Sequence, residues 1–169
     1  CDLKSLKSLL KNKKFTLVHG VFDVLHVGHK RHFEEAKKLT GKLVVSITSD
    51  QFVKKGPGRP FFNQFIRSEM ISSLDVVNYV YINDNETPID LIHKIKPAYY
   101  CKGKDYMNFS KDITGNIKKE SDAVKKIGGK IYFTSDIQFS SSELINLNFN
   151  SPKILKELKT NVQNINLFK

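Results

Sequence analysis

Short apolar runs alternate with helix-like segments along most of this chain, and that alternation constrains its fold more than any other feature. Each run has the length and composition of a buried strand, and helical spacing or helix-capping residues separate it from the next. Strands that alternate with helices build a parallel sheet covered on both faces. The sequence therefore predicts a doubly wound α/β domain with a five-stranded parallel sheet and helices on both faces. The predicted strands are 15–19, 43–48, 76–82, 98–101 and 130–134, and the predicted helices are 30–39, 61–74, 87–95, 118–127 and one that begins at 140.

The chain is expected to have three sections. Residues 1–14 place leucines among lysines, which predicts a short amphipathic helix, and residues 15–150 hold the alternating pattern. Residues 151–169 are expected to be a C-terminal helix or a linker. Cys1 stands where a native chain would begin with Met, so we expect a trimmed chain or a fragment of a longer protein.

Composition narrows the class of protein. With 169 residues, 40% of them hydrophobic, the chain has the size and apolar content of one ordinary domain. No apolar run approaches the ~20 residues of a membrane span, so no membrane association is expected. Cys1 and Cys101 lack the spacing of a redox or metal motif, which favours reduced thiols in a cytoplasmic protein. The formal charge of +11 indicates an anionic partner, and nucleotide is favoured over nucleic acid because no nucleic-acid-binding motif accompanies the scattered lysines.

Two histidines follow the first predicted strand at the entrance to a helix. His26 and His29 flank Gly28 at a spacing of three residues. Backbone N–H groups at a helix N-terminus bind anions, and two imidazoles beside them can donate hydrogen bonds to a phosphate. Zinc is the weaker alternative, because no third ligand stands at helical spacing. Ligands of parallel sheets bind outside the carboxyl ends of the strands, so the pattern predicts a catalytic phosphate site there.

The decamer Gly20–His29 resembles the HxGH signature of the cytidylyltransferase-like nucleotidyltransferase superfamily, and the resemblance extends from about Phe15 to Ile145. Later segments are similar to the adenylyltransferase domain of ADP-heptose synthase and to similar domains fused to sugar kinases. The resemblance implies a Rossmann-like fold that transfers a nucleoside monophosphate, AMP from ATP, to a sugar phosphate or polyol phosphate and releases pyrophosphate. The product would be an activated sugar for surface polysaccharide synthesis. Mg²⁺ accompanying the triphosphate, a homodimer and a fused kinase domain in a longer protein are further expectations.

The resemblance also implies roles for individual residues. His26, His29 and Lys55 are implied to be catalytic, with Lys55 as the cation on the triphosphate. Arg59 and Arg67 are implied to contact the phosphate of the substrate. The residues implied to bind the nucleotide are Gly20, Val21, Phe22, Asp23, Gly28, Lys102, Gly103, Asp105, Ser140, Ser141 and Ser142.

Several of these residues have simpler interpretations as well. Asp23 is expected to help hold Mg²⁺, because that ion is usually bound by a carboxylate together with phosphates. A turn or capping role is the alternative for Asp23, a solvated basic loop is the alternative around Lys55, and a surface location is the alternative for Arg67. For Ser140, the first residue of the pattern Ser-x-x-Glu, an ordinary capping box accounts for the sequence equally well.

ATP is expected ahead of CTP on three resemblances. The segments 86–88 and 102–106 are similar to ADP-heptose synthase, and 135–138 lacks the arginine that glycerol-phosphate and choline-phosphate cytidylyltransferases carry before their serine run. Asp75 also stands where those enzymes have an arginine. A cytidylyltransferase that uses CTP with glycerol phosphate or a related acceptor is the alternative. A non-catalytic nucleotide-binding or nucleic-acid-binding domain is a third hypothesis, against which the intact histidine pair argues.

Overall fold

The computed structural model describes residues 2–56, 58–104 and 116–135, all within one compact unit, Cys1–Gln138. These residues form a parallel five-stranded sheet with helices on both faces, which confirms the predicted fold class. A short 3-10 helix, Asp50–Phe52, follows the second strand. The strands are β1 (Thr16–Gly20), β2 (Leu43–Thr48), β3 (Tyr79–Asn83), β4 (Tyr99–Gly103) and β5 (Lys130–Thr134), and the helices are α1 (Leu3–Leu10), α2 (Val27–Lys38), α3 (Gln64–Ser72), α4 (Ile89–Ile95) and α5 (Asn116–Lys126).

The order of the strands across the sheet is β3-β2-β1-β4-β5, and every neighbouring pair is parallel. In the centre, Val18 of β1 is in register with Val45 of β2 and with Cys101 of β4. The chain winds outward from β1 in one direction through β3 and then returns to the other side of β1 for β4. This reversal opens a crevice beyond the carboxyl ends of β1 and β4, where sheets of this type bind ligands.

Alternate side chains of the central strands enter two separate cores. Leu17, Val44 and Tyr100 point to the face that α1, α4 and α5 cover. Their neighbours Val18 and Val45 point to the face covered by α2 and α3. Because β2 is buried along its whole length, its sequence is continuously apolar or small rather than alternating, as is usual for parallel strands.

The helix after the second strand begins later than the sequence predicts. Helix α3 starts at Gln64 instead of residue 61, because the side chain of Asn63 caps it by accepting hydrogen bonds from the N–H groups of Phe65 and Ile66, both at 3.0 Å. The N–H groups of Phe61 and Phe62 instead donate hydrogen bonds to the carboxylate of Asp23. A strong local cap and a distant acceptor together override the apolar spacing that suggested an earlier start.

Two other element ends show how local capping decides a boundary. Helix α4 begins at Ile89, two residues later than predicted, because Pro88 occupies its N-cap; the Thr87 carbonyl accepts a hydrogen bond from the side chain of Asn83 at 3.1 Å. Helix α5 ends before Gly128, whose φ of 76° lies in the left-handed region that glycine adopts readily at a helix end.

The N-terminal segment forms the helix that its amphipathic pattern predicts. The Asp2 side chain caps α1 by accepting from the Ser5 N–H at 2.9 Å, and Leu6 and Leu10 are buried in the first core. No helix in the described part of the chain is long and apolar enough to cross a membrane. The predicted helix from residue 140, the boundary near residue 150 and the segment 151–169 lie outside the described residues.

Candidate active site

The predicted site residues that the structure describes gather mainly at the carboxyl edge of the sheet. Gly20 ends β1 and Gly103 ends the adjacent β4. The turn after β1 leads into α2, and the basic loop after β2 leads into α3. The site therefore lies at the crevice that the strand order creates.

Two stacked imidazoles stand at the start of α2. This helix begins at Val27, three residues earlier than predicted, so His26 is its N-cap and His29 lies in its first turn. Residues three apart on a helix are neighbours, and the two rings stack with centroids 3.8 Å apart and 25° between their planes. The His26 side chain makes no capping hydrogen bond. The partial positive charge of the helix N-terminus, at Val27 and Gly28, therefore lies beside two imidazoles. This arrangement is suited to binding an anion.

Burial keeps both histidines uncharged at neutral pH. Burial lowers the pKa of His26, and it lowers the pKa of His29 to about 3, with further lowering from charge on His26, His32 and Lys55. The ring of Phe22 packs edge-on against His29 with centroids 5.3 Å apart, which supplies part of the apolar wall. A neutral imidazole carries one N–H donor, so each histidine can donate one hydrogen bond to a phosphate oxygen.

The turn between β1 and α2 is conformationally unusual. Phe22 has a φ of 50°, in the left-handed region that non-glycine residues rarely adopt. Its ring lies over Gly20, where an added Cβ would come within 2.9 Å of the ring, so a larger residue at position 20 would displace the Phe22 side chain. Gly20 and Phe22 thus shape the turn that delivers His26. Strained residues of this kind cluster at functional sites.

Asp23 is fully engaged inside the protein. Its Oδ1 accepts hydrogen bonds from the N–H groups of Phe61 and Phe62, at 2.7 and 3.0 Å. Its Oδ2 lies 2.6 Å from Nε of Arg59, and the two groups form a close ion pair. The N–H group of Arg59 Nε does not point at Oδ2 well enough to make a regular hydrogen bond. Both oxygens of Asp23 therefore have protein partners, and the side chain of Arg59 is 8% exposed. The expected roles of Asp23 in holding Mg²⁺ and of Arg59 at the phosphate of a substrate stay predictions.

Arg67 is buried, which excludes the alternative of a surface location. Its side chain is 0% exposed. The guanidinium donates to the carbonyls of Val21, Thr48 and Phe62 and to the carboxylate of Asp50. One side chain thereby joins the ends of β1 and β2 to the start of α3. The expected contact between Arg67 and the phosphate of the substrate stays a prediction.

The two lysines of the basic loop differ in their surroundings. Lys54 forms an exposed ion pair with Glu86 in the loop after β3. Lys55 is exposed, and its charge contributes to the low pKa of His29. The two lysines therefore have different surroundings, and the expected role of Lys55 on the triphosphate stays a prediction.

The end of β4 contributes a buried ion pair. Lys102 Nζ lies 3.1 Å from Oε2 of Glu120, and the same oxygen accepts from the Tyr100 hydroxyl at 2.9 Å. Lys102 is only 9% exposed, and its side chain pairs with α5. The predicted place of Lys102 in the nucleotide site stays a prediction. The remaining residues of the predicted nucleotide site, Asp105, Ser140, Ser141 and Ser142, lie outside the described residues.

Sequence reasoning missed His19, which is the last histidine before the turn. It is buried beside β2, with Nδ1 3.1 Å from the Ser46 hydroxyl and Nε2 3.4 Å from the Thr48 hydroxyl. Burial, followed by the charge of Lys102, lowers its pKa to about 3. The signal was available, because a histidine that ends an apolar strand is placed in the core by the strand before it.

Comparison with known proteins gives a consistent result. The family described as Cytidylyltransferase-like matches residues 17–147. Bifunctional protein HldE of Aliarcobacter butzleri is 40% identical over 134 residues, which are 76% of this chain and 28% of that protein. HldE of Campylobacter concisus is 39% identical over 132 residues, again 76% and 28%. The chain thus spans little more than a quarter of the length of these relatives.

Solved structures share the fold. The lipopolysaccharide core biosynthesis protein from Thermoplasma volcanium is 26% identical with a TM-score of 0.61, and the match covers 74% of this chain and 98% of that one. Pantothenate synthetase from Thermus thermophilus matches at 14% identity and a TM-score of 0.58, covering 92% of this chain and 68% of that one. The second similarity concerns the fold alone.

Proposed function

We propose, from the premise that this chain belongs to the cytidylyltransferase-like family, that it transfers a nucleoside monophosphate from a nucleoside triphosphate to a sugar phosphate or polyol phosphate. The observation that carries the proposal is the stacked, neutral pair of His26 and His29 at a helix N-terminus beyond the switch point of the sheet. That position and those donors suit a reaction in which negative charge builds up on phosphate oxygens.

The reaction requires little acid–base chemistry from the protein. An oxygen of the acceptor phosphate, already ionised near neutral pH, attacks the α-phosphorus of the triphosphate. The bond from that phosphorus to the bridging oxygen breaks, and pyrophosphate leaves with the electron pair. His26 and His29 donate hydrogen bonds to the oxygens on which charge accumulates, and Lys55 adds a positive charge from the loop. Catalysis in this scheme comes from positioning and electrostatic stabilisation.

Mg²⁺ does not fit the protein side of the described site. It would neutralise charge on the triphosphate when bound, but the carboxylate expected to hold it, Asp23, already has partners on both oxygens. Among residues 2–56, 58–104 and 116–135, no three metal-ligating side chains come together. No step is therefore assigned to a protein-bound metal.

ATP and a sugar phosphate are the proposed substrates. The HldE relatives and the resemblance to ADP-heptose synthase support ATP, and the similarity to the lipopolysaccharide core biosynthesis protein from Thermoplasma volcanium supports an acceptor used in saccharide assembly. The relatives are named bifunctional and are much longer than this chain. This supports a kinase domain fused to the present domain in a longer protein.

A pyrophosphate-release screen tests the proposal. ATP and CTP, each with Mg²⁺, are tested against a panel of sugar and polyol phosphates, with a His26→Ala/His29→Ala double variant as the background. We expect release with ATP and a sugar phosphate, and none in the variant. Melting temperatures give a second measurement, because a ligand at 100 times its Kd adds about 2.7 kcal/mol to the folded state. Larger stabilisation and faster turnover with CTP would establish the cytidylyltransferase alternative instead.

A further inference from the structure

We infer that Asp23 is a positioning residue that fastens the base of the basic loop to the turn carrying the two histidines. The base of the loop is defined here as residues 58–62. By holding it, Asp23 sets where Lys55 stands relative to His26 and His29. The catalytic consequence depends on the proposed function, whereas the tether itself does not.

The contacts of Asp23 reach the loop base at three points. Oδ1 accepts from two successive backbone N–H groups, those of Phe61 and Phe62, and Oδ2 pairs with Arg59 at 2.6 Å. The Asp23 side chain is 0% exposed, so neither water nor salt screens the pair effectively. A buried carboxylate with three protein partners is held in one orientation, and losing a partner leaves a charge stranded in the interior.

The position of these residues in the chain makes the tether relevant to the site. Asp23 precedes His26 by three residues, and Arg59 follows Lys55 by four. A single carboxylate therefore links the turn of the histidines to the loop of the lysine. Toward its other end the loop forms an exposed ion pair between Lys54 and Glu86, and such surface pairs contribute little to stability.

A second anchor holds the same base from the other side. Arg67 donates to the carbonyl of Phe62 at 3.0 Å and to the carbonyl of Val21. Phe62 is thus bound through its N–H by Asp23 and through its carbonyl by Arg67. The backbone at the loop base is fixed at both polar groups, which leaves the adjustable part of the loop around Lys55.

The same contacts disfavour a metal ligand at this position. A carboxylate offers about four lone-pair sites, and three are already directed at protein donors. Mg²⁺ requires close, near-octahedral oxygen ligands. Binding it to Oδ2 of Asp23 would bring a second cation onto the oxygen that Arg59 occupies, and the two charges would repel.

Limited proteolysis tests the tether without reference to activity. Trypsin cleaves after Lys54 and Lys55 but not at Arg59–Pro60, so changing Arg59 removes no cleavage site. We expect Asp23→Asn and Arg59→Gln to speed cleavage in the loop by on the order of tenfold or more, the direction expected when a buried ion pair is broken. Arg59→Lys should fall between them and the unaltered protein. Glu86→Gln, which breaks only the exposed pair, is the matched control and should change the rate by less than about twofold.

Global stability is measured alongside by urea unfolding. The tether is wrong if the loss of global stability accounts for the whole increase in the cleavage rate. It is also wrong if Glu86→Gln raises the cleavage rate as strongly as Arg59→Gln does. Arg59→Gln keeps the whole carboxylate and its two backbone partners, so it remains informative if Asp23→Asn fails to fold.

Kinetics then separate a positioning residue from a metal ligand. As a positioning residue, Asp23→Asn and Arg59→Gln should lower kcat/KM for the nucleotide to a similar extent, with no further loss in the double variant and no change in the Mg²⁺ concentration for half-maximal rate. A metal ligand would show a raised Mg²⁺ requirement in Asp23→Asn alone, which would overturn the inference. If the unaltered protein releases no pyrophosphate with any acceptor, the proposed function fails, and the proteolysis still decides the tether.

Discussion

The two stacked imidazoles at the start of α2 are suited to donating hydrogen bonds. Burial lowers the pKa of both His26 and His29, and in His29 it reaches about 3. A histidine that titrates so far below neutral pH exchanges few protons during turnover, whereas general acid–base catalysis works best with a pKa near the operating pH. Their contribution is therefore expected to be geometric and electrostatic.

Removing either imidazole should remove one donor to the transition state. We expect His26→Ala and His29→Ala each to lower kcat by on the order of 10²-fold or more, the usual cost of such a donor. Val27→Ala is the control, because Val27 is 47% exposed and lies between the two histidines without a polar group to offer. Full activity in either histidine variant, with urea unfolding unchanged, would contradict the mechanism.

The basic loop after β2 allows a comparison between two adjacent lysines. Lys55 lies near enough to His29 to affect its pKa, and Lys54 is paired with Glu86. We expect Lys55→Ala to raise the KM for the nucleotide strongly while the KM for the acceptor changes little, because the lost charge belongs to the triphosphate. Lys54→Ala should be nearly silent in both. Steady-state kinetics with each substrate varied in turn distinguish these outcomes, and equal effects of the two changes would indicate only a solvated basic loop.

The junction of β1, β2 and α3 depends on Arg67. Replacing it by Met removes the donor from three carbonyls, and it leaves the partly exposed Asp50 without its cation. We expect Arg67→Met to lower the free energy of unfolding by about 1–3 kcal/mol, the cost of leaving buried hydrogen-bonding groups without a partner. Arg67→Lys should recover little, since one ammonium group cannot reach acceptors on three elements. Urea unfolding measures both, with Glu69→Ala on the exposed side of α3 as the control.

The limits of sequence-based prediction are visible at these same elements. The alternation of apolar runs with helix-like segments was sufficient to predict the parallel sheet, because buried parallel strands are continuously apolar. The spacing of His26 and His29 was sufficient for the helix entrance. The partners of Arg67 and Asp23 could not be predicted, because they stand tens of residues away and are mostly backbone groups, which carry no residue-type signature. The helix predicted from residue 87 begins at Ile89, because Pro88 takes the cap position.

Taken as a whole, the domain buries polar groups beneath its catalytic edge. His19 contacts Ser46 and Thr48 inside the sheet, and Lys102 pairs with Glu120 between the sheet and α5. Buried groups of this kind support the carboxyl ends of β1 and β4, where the crevice opens. They also make the stability of the whole protein depend on pH, since burying an uncharged histidine means that the folded chain resists a proton that the unfolded chain accepts.

The pH dependence of stability follows from His19. Its pKa is lowered from 6.5 to about 3, first by burial and then by the charge of Lys102. Between those two values the unfolded chain binds one more proton than the folded chain, so this stabilising contribution is present above pH 6.5 and is lost as the pH falls. The free energy of unfolding should decline by up to about 1.4 kcal/mol per pH unit for this group. His29 changes stability in the same direction.

Urea unfolding between pH 7.5 and pH 5 measures the slope, and His19→Gln should make it shallower even if it lowers stability at every pH. His93→Gln on the exposed side of α4 is the matched control substitution. An equally steep decline in His19→Gln and in the unaltered protein would show that His19 is not the group responsible.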